Sequence, residues 1–481
     1  NFPQWTSRTN LRDERRVVDI ALRLSLQNFP SADPVRHAPG SITWTDAQWC
    51  AIRSLASRDR LALLTGVPGS GKTSLLAPIA AAYRTLDPRF RIIAAAEAWK
   101  TALSLRETCG DETYALAALF EKERHGRIEI NEKCILVVDE AGLLPTKRML
   151  QLLHLVDRSG AKLILVGDSA QLSPIGAGSG LDLIRKAIAP IELDEIKRQA
   201  AAPQRQLVDA LVAAATLGRD TERQDTAHAM AALAQSLNGD GMWISCERSQ
   251  KAVQEVAERV AQWLHPSRMA IGRCVALTRS HREAHHVNRI VRAILRARGQ
   301  FKSEDTELDA VTPTGTPYRL KIAINDRVRF LTRLRKHDVY NGTQGFIRGI
   351  DETSLHVQLL DSSSPSGARS VVIALADLRD DHNRVRLACD YVSTVFGSQG
   401  ATYDEVVVLK ARSMRFRELY VALTRAKNAA TVVDVHPERA ARQIDAYDGE
   451  VRKLEIDNRA RSLTRDLLES KRRDRPRILA L

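Results

Sequence analysis

Short, almost wholly apolar runs recur along the first third of the chain, each closed by glycine or by carboxylates. Leu61–Thr65, Ile92–Ala96, Cys134–Val138 and Leu163–Val166 are of this kind. Strands buried on both faces read as continuous apolar runs, whereas strands with one wet face alternate. The first run is followed by a helix candidate, Ser74–Tyr83, and the order predicts a βαβ series, a parallel sheet covered on both sides. A further apolar strand, Cys274–Leu277, opens a second unit with a helix over His281–Arg298, and the same pattern returns at Tyr391–Thr394, Glu405–Leu409 and Ala430–Val435.

Between these the period changes. Arg327–Leu331, Thr343–Ile350, Ser354–Leu360 and Ser370–Ala374 alternate, with turns at Asn341-Gly342 and Ser362–Gly367, which predicts a small β-barrel insert. Residues 11–27 form an amphipathic basic helix candidate and Asn28–Ser41 a Pro/Ala/Ser-rich linker. Residues 200–265 are helix-rich, and the tail from Val451 carries ten Lys/Arg against five Asp/Glu. The expected division is an N-terminal helix and linker (1–41), a first α/β lobe (42–199), a first part of the second lobe (200–317), the β insert (318–385), the rest of the second lobe (386–437) and a basic helical tail (438–481).

Composition narrows the function. A chain of 481 residues holds about three domains on length alone. Its net charge of +14 predicts a polyanionic partner. No run approaches the roughly 18 apolar residues of a membrane span, and no signal peptide is visible at the start. Six cysteines without a C-x-x-C pair predict a reducing, cytoplasmic setting and no zinc knuckle. The chain begins at Asn1 rather than Met, so it is expected to be a fragment or a trimmed form.

The chemistry begins where the first strand ends. Gly66, Gly69, Ser70, Gly71, Lys72 and Thr73 have the spacing of a phosphate-cradling loop. The glycines let successive N–H groups face a phosphate, the following helix adds partial positive charge, Lys72 reaches the β/γ-phosphates and Thr73 is placed for Mg²⁺. The third strand delivers Asp139 and Glu140 at its C-terminal end, the edge at which open parallel sheets bind ligands. Asp139 suits a Mg²⁺ shell and Glu140 suits orienting or deprotonating an attacking water. Gly167-Asp168 ends the next strand, and Gln171 follows as a candidate sensor of the γ-phosphate. Gln48 has two readings: an amide on an adenine edge, or a capping box with Thr45. Arg198 and Arg425 stand out among the 72 basic residues as groups for the charge of a phosphoryl-transfer transition state. His281, His285 and His286 share a helix face but lack the H-E-x-x-H order and an acidic third ligand, so a metal reading is set aside. Trp99, Phe396 and Tyr391 are candidates for stacking on nucleic-acid bases, with core or lobe packing an equal reading for Phe396 and Tyr391.

In this order the elements resemble those of superfamily 1 DNA helicases, over residues 42–435. Gln48 is similar to the Q-motif, Gly66–Thr73 to motif I, Ile92–Leu105 to Ia, Val138–Gly142 to II, Val166–Gly178 to III, Leu193–Gln199 to IV, Tyr391–Thr402 to V and Leu419–Lys427 to VI. The Gly167–Gly178 stretch and the segments Asn325–Phe330 and Asn341–Gly345 resemble the 5′→3′, RecD-like branch, most of all the helicase part of TraA/TraI-type conjugative relaxases. The resemblance implies two RecA-like P-loop lobes with an SH3-like β insert in the second. It implies ATP and Mg²⁺ as cofactors, and a translocase on single-stranded DNA that opens duplex junctions. Lys72, Glu140, Gln171, Arg198 and Arg425 would be catalytic, with Gln48, Gly400 and the loop at the nucleotide and Thr73 and Asp139 at the metal. Trp99, Lys100, Thr113, Thr278, Asn341, Thr394, Phe396 and Gln399 would line the strand. Two departures stand out: Glu97–Lys100 replaces the usual Pro-Thr of motif Ia, and Phe396-Gly397 stands where His-Lys is common in motif V. The histidine cluster and N-terminal tyrosine of a nicking domain are not recognisable, so a relaxase partner would lie outside this chain. A RecD-like repair helicase, an RNA translocase and a non-motor nucleic-acid scaffold are the alternatives.

Overall fold

The computed structural model describes residues 7–34, 44–106, 108–168, 172, 174, 176–193, 204–212, 242–264, 274–313, 315–360, 368–410 and 414–435. The first apolar runs form one parallel sheet. Its strands are β1 (Leu61–Gly66), β2 (Arg91–Ala96), β3 (Glu112–Ala115), β4 (Cys134–Asp139), β5 (Lys162–Gly167) and β6 (Ile191–Leu193), in the order β3-β2-β4-β5-β1-β6. The three central strands β4, β5 and β1 are buried on both faces, save for the last residues of β1 and β4, which accounts for their unbroken Leu/Ile/Val composition. Their register brings Leu64 beside Val166 and Val138 beside Leu165, so the C-terminal ends of β1, β4 and β5 open on one edge.

Helices cover both faces. α1 (Arg8–Ser25) is the basic amphipathic helix expected near the N-terminus, capped by Ser7, whose side chain accepts from the Asn10 N–H. Its apolar stripe, Val17, Val18, Ile20, Ala21 and Leu24, shares a core with α6 (Thr146–Ser159) and α7 (Gly180–Ala187). The Arg23 guanidinium pairs with Asp157. On the opposite face Phe29 packs on Tyr83 and Phe90, with α2 (Asp46–Leu55) and α3 (Leu76–Leu86). The segment before the first strand is therefore packed into this lobe on both sides. α4 (Trp99–Arg106) follows β2, and α5 (Leu116–Arg124) follows β3.

A second parallel sheet has the order β16-β8-β17-β18-β7, from β7 (Trp243–Cys246), β8 (Cys274–Thr278), β16 (Val392–Thr394), β17 (Tyr403–Lys410) and β18 (Ala426–Val435). α8 (Ser249–Trp263) and α9 (His281–Ala297) cover one face. α11 (Phe416–Thr424) covers the other.

The alternating region forms an antiparallel five-stranded sheet, β14-β13-β12-β11-β15. It comprises β11 (Arg327–Phe330), β12 (Gln344–Ile350), β13 (Ser354–Leu360), β14 (Ala368–Ala374) and β15 (Leu387–Cys389), with the short α10 (Leu375–Leu378) after β14. Gly345 is required where β12 crosses β13: a Cβ there would stand 2.5 Å from Val357 Cγ1. A separate hairpin, β9 (Thr306–Val311) with β10 (Pro317–Ile322), precedes it; neither strand was expected from the pattern. Among the described residues no helix is long and apolar enough to cross a membrane.

Candidate active site

The glycine-rich loop leaves β1 and turns under its own backbone constraints. Gly69 and Gly71 have φ of +84° and +82°, the left-handed region in which a side chain is strained. Gly66 is needed for a different reason. A Cβ there would stand 2.5 Å from the Leu193 carbonyl oxygen of β6. Lys72 Nζ donates to the carbonyls of Gly66 (2.7 Å) and Val67 (2.8 Å), folded over its own loop.

Of the two readings of Gln48, the capping box with Thr45 is formed. The amide carbonyl accepts from the Thr45 N–H (3.2 Å), the Thr45 hydroxyl accepts from the Gln48 N–H (3.3 Å), and Gln48 Nε2 donates to the Ser70 carbonyl (3.2 Å). With the side chain 4 % exposed, both ends of the amide are committed to protein. Gln48 caps α2 and fastens that helix to the phosphate loop.

Across the edge, Thr73 Oγ1 donates to Asp139 Oδ2 at 3.3 Å, so the hydroxyl and the carboxylate already share a point. The Glu140 N–H donates back to Asp139 Oδ1 (2.8 Å). Glu140 itself has φ +51°, an uncommon conformation for a non-glycine residue. It turns the second carboxylate out of line with the first, so the two face different groups. Burial raises the pKa of both Asp139 and Glu140; Lys72 and Arg425 oppose that shift at each.

The second lobe contributes Arg425, which ends α11. Its Nη2 lies 3.9 Å from Glu140 Oε1, with the two side chains 5 % and 14 % exposed. Arg425 Nη1 donates to the Ala401 carbonyl (3.4 Å), while Nε and Nη2 make no hydrogen bond among the described residues. A guanidinium with two uncommitted N–H faces, buried beside the acidic pair, can be met by an anionic oxygen entering from the phosphate loop. Two further contacts hold α11, the first of them across the lobes. Tyr420 Oη donates to Asp168 Oδ2 (3.3 Å), and Gln204 Nε2 donates to the Leu423 carbonyl (2.9 Å). Tyr420 received no role from sequence; its place on the helix that Arg425 caps is the signal that points to it.

Gln171 and Arg198 lie outside the described residues, as does the basic tail. The strand-facing candidates divide. Phe396 is 41 % exposed, and Asn341 is exposed at a turn completed by Gly342. Thr278 is fully buried and its hydroxyl donates to the Ser280 carbonyl at the start of α9 (3.1 Å). Thr394 and Gln399 are also buried, and Thr394 Oγ1 accepts from the Gly397 N–H (3.0 Å), shaping the turn that displays Phe396. Thr113 Oγ1 is buried without a hydrogen bond. Gly400, at φ +73°, lets the turn approach Thr101 of α4: a Cβ there would stand 2.8 Å from Thr101 Oγ1. Trp99 is half-buried, and Lys100 precedes Thr101 on the same helix. Tyr391 takes the packing reading rather than stacking. It is 4 % exposed and its hydroxyl donates to buried Asp326, because it plugs the junction between α9 and β11.

Comparison with known proteins fits this geometry. The family described as an AAA domain matches residues 43–235, and the UvrD-like helicase C-terminal domain matches residues 391–433. The chain is 28 % identical over 391 residues to a probable conjugal transfer protein TraA of Sinorhizobium fredii, covering 79 % of this chain and 31 % of that protein. It is 34 % identical over 205 residues to the ATP-dependent RecD2 DNA helicase of Deinococcus radiodurans, covering 40 % of this chain and 27 % of that one. The chain thus spans less than a third of the length of either relative. Among solved structures, the Pif1 helicase from Bacteroides in complex with ADP-AlF3 and single-stranded DNA superposes with a TM-score of 0.51. That match has 16 % identity and covers 85 % of this chain and 98 % of Pif1.

Proposed function

We propose that this chain, a RecD-like superfamily 1 helicase related to the TraA proteins, is an ATP-driven 5′→3′ translocase on single-stranded DNA that opens duplexes at junctions. The observation that carries the reading is the convergence of Lys72, Thr73, Asp139 and Glu140 from one lobe with Arg425 from the other. Hydrolysis assembled from two bodies couples chemistry to their relative movement, which a single-lobe phosphate site cannot do.

The residues take these roles. Lys72 leaves the Gly66 and Val67 carbonyls and holds the β- and γ-phosphates, while the N–H groups of Gly69, Ser70 and Gly71 cradle them. Thr73 and Asp139 fit a Mg²⁺ ion, since their oxygens already meet at 3.3 Å; when bound it neutralises charge on the phosphate oxygens. Glu140 accepts hydrogen bonds from the attacking water and aligns it. Arg425 gives up its contact to Glu140 and spreads its N–H groups over the equatorial oxygens of the transferring phosphoryl group. Gln171 and Arg198 complete the γ-phosphate shell. Gln48 keeps the loop in register with α2.

Phe396 and Asn341 offer exposed surface to a single strand, with Trp99 and Lys100 on the facing lobe. The five-stranded antiparallel sheet is read as the SH3-like insert of the second lobe, its last strand running past the boundary at 385 drawn from the sequence. The 28 % identity to TraA over 391 residues supports the helicase module of a conjugative relaxase-type protein, with relaxase or transfer partners outside this chain. A RecD-like repair helicase is the alternative, its relative from Mycobacterium tuberculosis being 27 % identical over 471 residues. The direct test is unwinding of duplexes carrying either a 5′ or a 3′ single-stranded tail, with ATP and Mg²⁺. Unwinding of the 5′-tailed substrate supports the reading; unwinding only of the 3′-tailed one overturns the polarity.

A further inference from the structure

The first turn of α4 is held from the other half of the molecule at two points. Thr101 lies against the backbone of Gly400. Trp99 packs on a pair of side chains from the antiparallel sheet. The Arg333 guanidinium carbon is 4.4 Å from the Trp99 ring centroid and 5.2 Å from that of Tyr340, and the two rings are 5.7 Å apart with planes inclined at 36°. The three groups touch one another pairwise, a cation sharing two π-faces.

The antiparallel side of this contact is a built support. Arg333 and Tyr340 flank a small closed loop. Within it the Leu334 N–H donates to the Val339 carbonyl (2.8 Å) and the Val339 N–H returns to the Leu334 carbonyl (3.2 Å). Leu334 and Val339 are both buried in the sheet's core. Tyr340 Oη donates to Asp338 Oδ1 (2.7 Å), and Arg369 Nη2 reaches in from β14 to the His337 carbonyl (2.6 Å). Two side chains on so constrained a loop are aimed before any partner arrives. On the other side, Trp99 stands three residues beyond Ala96, the register partner of Asp139. The cluster therefore joins the nucleotide edge of the first sheet to the antiparallel sheet.

We propose that Trp99, Arg333 and Tyr340 form a clasp between the first lobe and the antiparallel sheet, one that retains a single strand lying between them. The proposal rests on the single-strand motor reading above. Arg333 is a positioning residue: it holds two bodies together across the strand and takes no part in hydrolysis. An exposed cation–π contact is weak enough to open and re-form, so the clasp sets how long a strand stays bound rather than whether it binds.

The test uses the full chain loaded on a fluorescein-labelled oligo-dT, released into excess unlabelled oligo-dT, with dissociation followed by stopped flow. Arg333→Ala should speed dissociation roughly fivefold. Arg335→Ala removes the same charge from the same loop without touching Trp99, and should change dissociation less than about twofold. Equal acceleration by both variants would reduce Arg333 to a general phosphate attraction and overturn the clasp. So would no change with Arg333→Ala. Trp99 emission without DNA, isolated by subtracting Trp99→Phe, should shift in Arg333→Ala and stay put in Arg335→Ala; an unchanged emission also overturns the contact. Because this last readout needs no DNA, a chain that failed to bind single strands would sink the motor reading while still reporting on the clasp.

Discussion

Tyr420 and Asp168 stand 252 positions apart in the chain, and the hydroxyl of the first donates to the carboxylate of the second at 3.3 Å. Tyr420 belongs to the helix that ends in Arg425, and Asp168 directly follows the strand next to the one carrying Asp139 and Glu140. The bond thus ties the arginine's helix to the acidic edge of the first lobe. Tyr420→Phe keeps the buried ring and removes the donor. The fold should lose about 0.5–1.5 kcal/mol, the usual worth of one hydrogen bond. The maximal DNA-stimulated ATPase should fall more than the affinity for ATP does. Steady-state kinetics beside a thermal melt would check this; a fall in affinity with an unchanged maximal rate would contradict it.

Arg425 is the arginine whose loss should be felt in chemistry alone. Its Nε and Nη2 have no hydrogen-bond partner among the described residues, so Arg425→Ala removes only the Nη1 bond to the Ala401 carbonyl and the 3.9 Å approach to Glu140. Arginines that reach a transferring phosphoryl group contribute about a thousandfold or more. ATP turnover should drop by about that factor while nucleotide binding, followed with a fluorescent analogue, stays within about threefold. Arg425→Lys should rescue little, since an ammonium cannot spread over two oxygens.

Gly66 makes a prediction about stability. Its φ does not fall in the left-handed region, yet Gly66→Ala forces a methyl to 2.5 Å from the Leu193 carbonyl, and β1 or β6 must move. Overpacking of this kind costs about 1–3 kcal/mol. The melting temperature should fall, and nucleotide affinity with it because the loop leaves β1 at this residue. An unchanged melt would show that β6 yields freely.

Lys162 gives a pH signature. It is fully buried at the start of β5, its Nζ donating to the Ser57 carbonyl (2.8 Å) and to the Asp59 carbonyl. Burial lowers its pKa from 10.5 to about 8. Between those values the unfolded chain holds the proton and the folded chain does not, so stability rises with pH through this window and the gain is lost as pH falls through 8. The full effect is on the order of 3 kcal/mol. Buried tyrosines such as Tyr83, whose pKa burial raises, pull the opposite way at higher pH. The clean observable is therefore the difference between the chain and Lys162→Met in urea melts at pH 7.5, 8.5 and 9.5. That difference should change steadily in favour of the parent as pH rises; a constant difference would contradict the assignment.

Much of the nucleotide edge was legible because its signals are local. Leu61–Thr65, Cys134–Val138 and Leu163–Val166 are apolar without interruption since the sheet buries both their faces, and each hands its chemistry to the next residues along the chain. β6, at three residues, and β15, beside a loop, carry too few positions to show a period. α1 read as a separate basic helix because its polar face dominates; the stripe from Val17 to Leu24 that seats it on α6 and α7 is short. Tyr391 read equally as a stacking or a packing residue because an aromatic beside polar neighbours does not declare which side of a strand it takes; Asp326, 65 positions away, decides it. Likewise Trp99 gave no hint of Arg333, since that contact exists only once two lobes have met.

The central claim is that hydrolysis is assembled between the two lobes and driven by a single strand. ATP hydrolysis by the chain with Mg²⁺, measured with and without single-stranded DNA and compared with Lys72→Ala, tests it most directly. The account predicts strong stimulation by the strand, abolished by Lys72→Ala while DNA binding persists. Hydrolysis indifferent to DNA, or stimulated hydrolysis surviving the loss of Lys72, would contradict it.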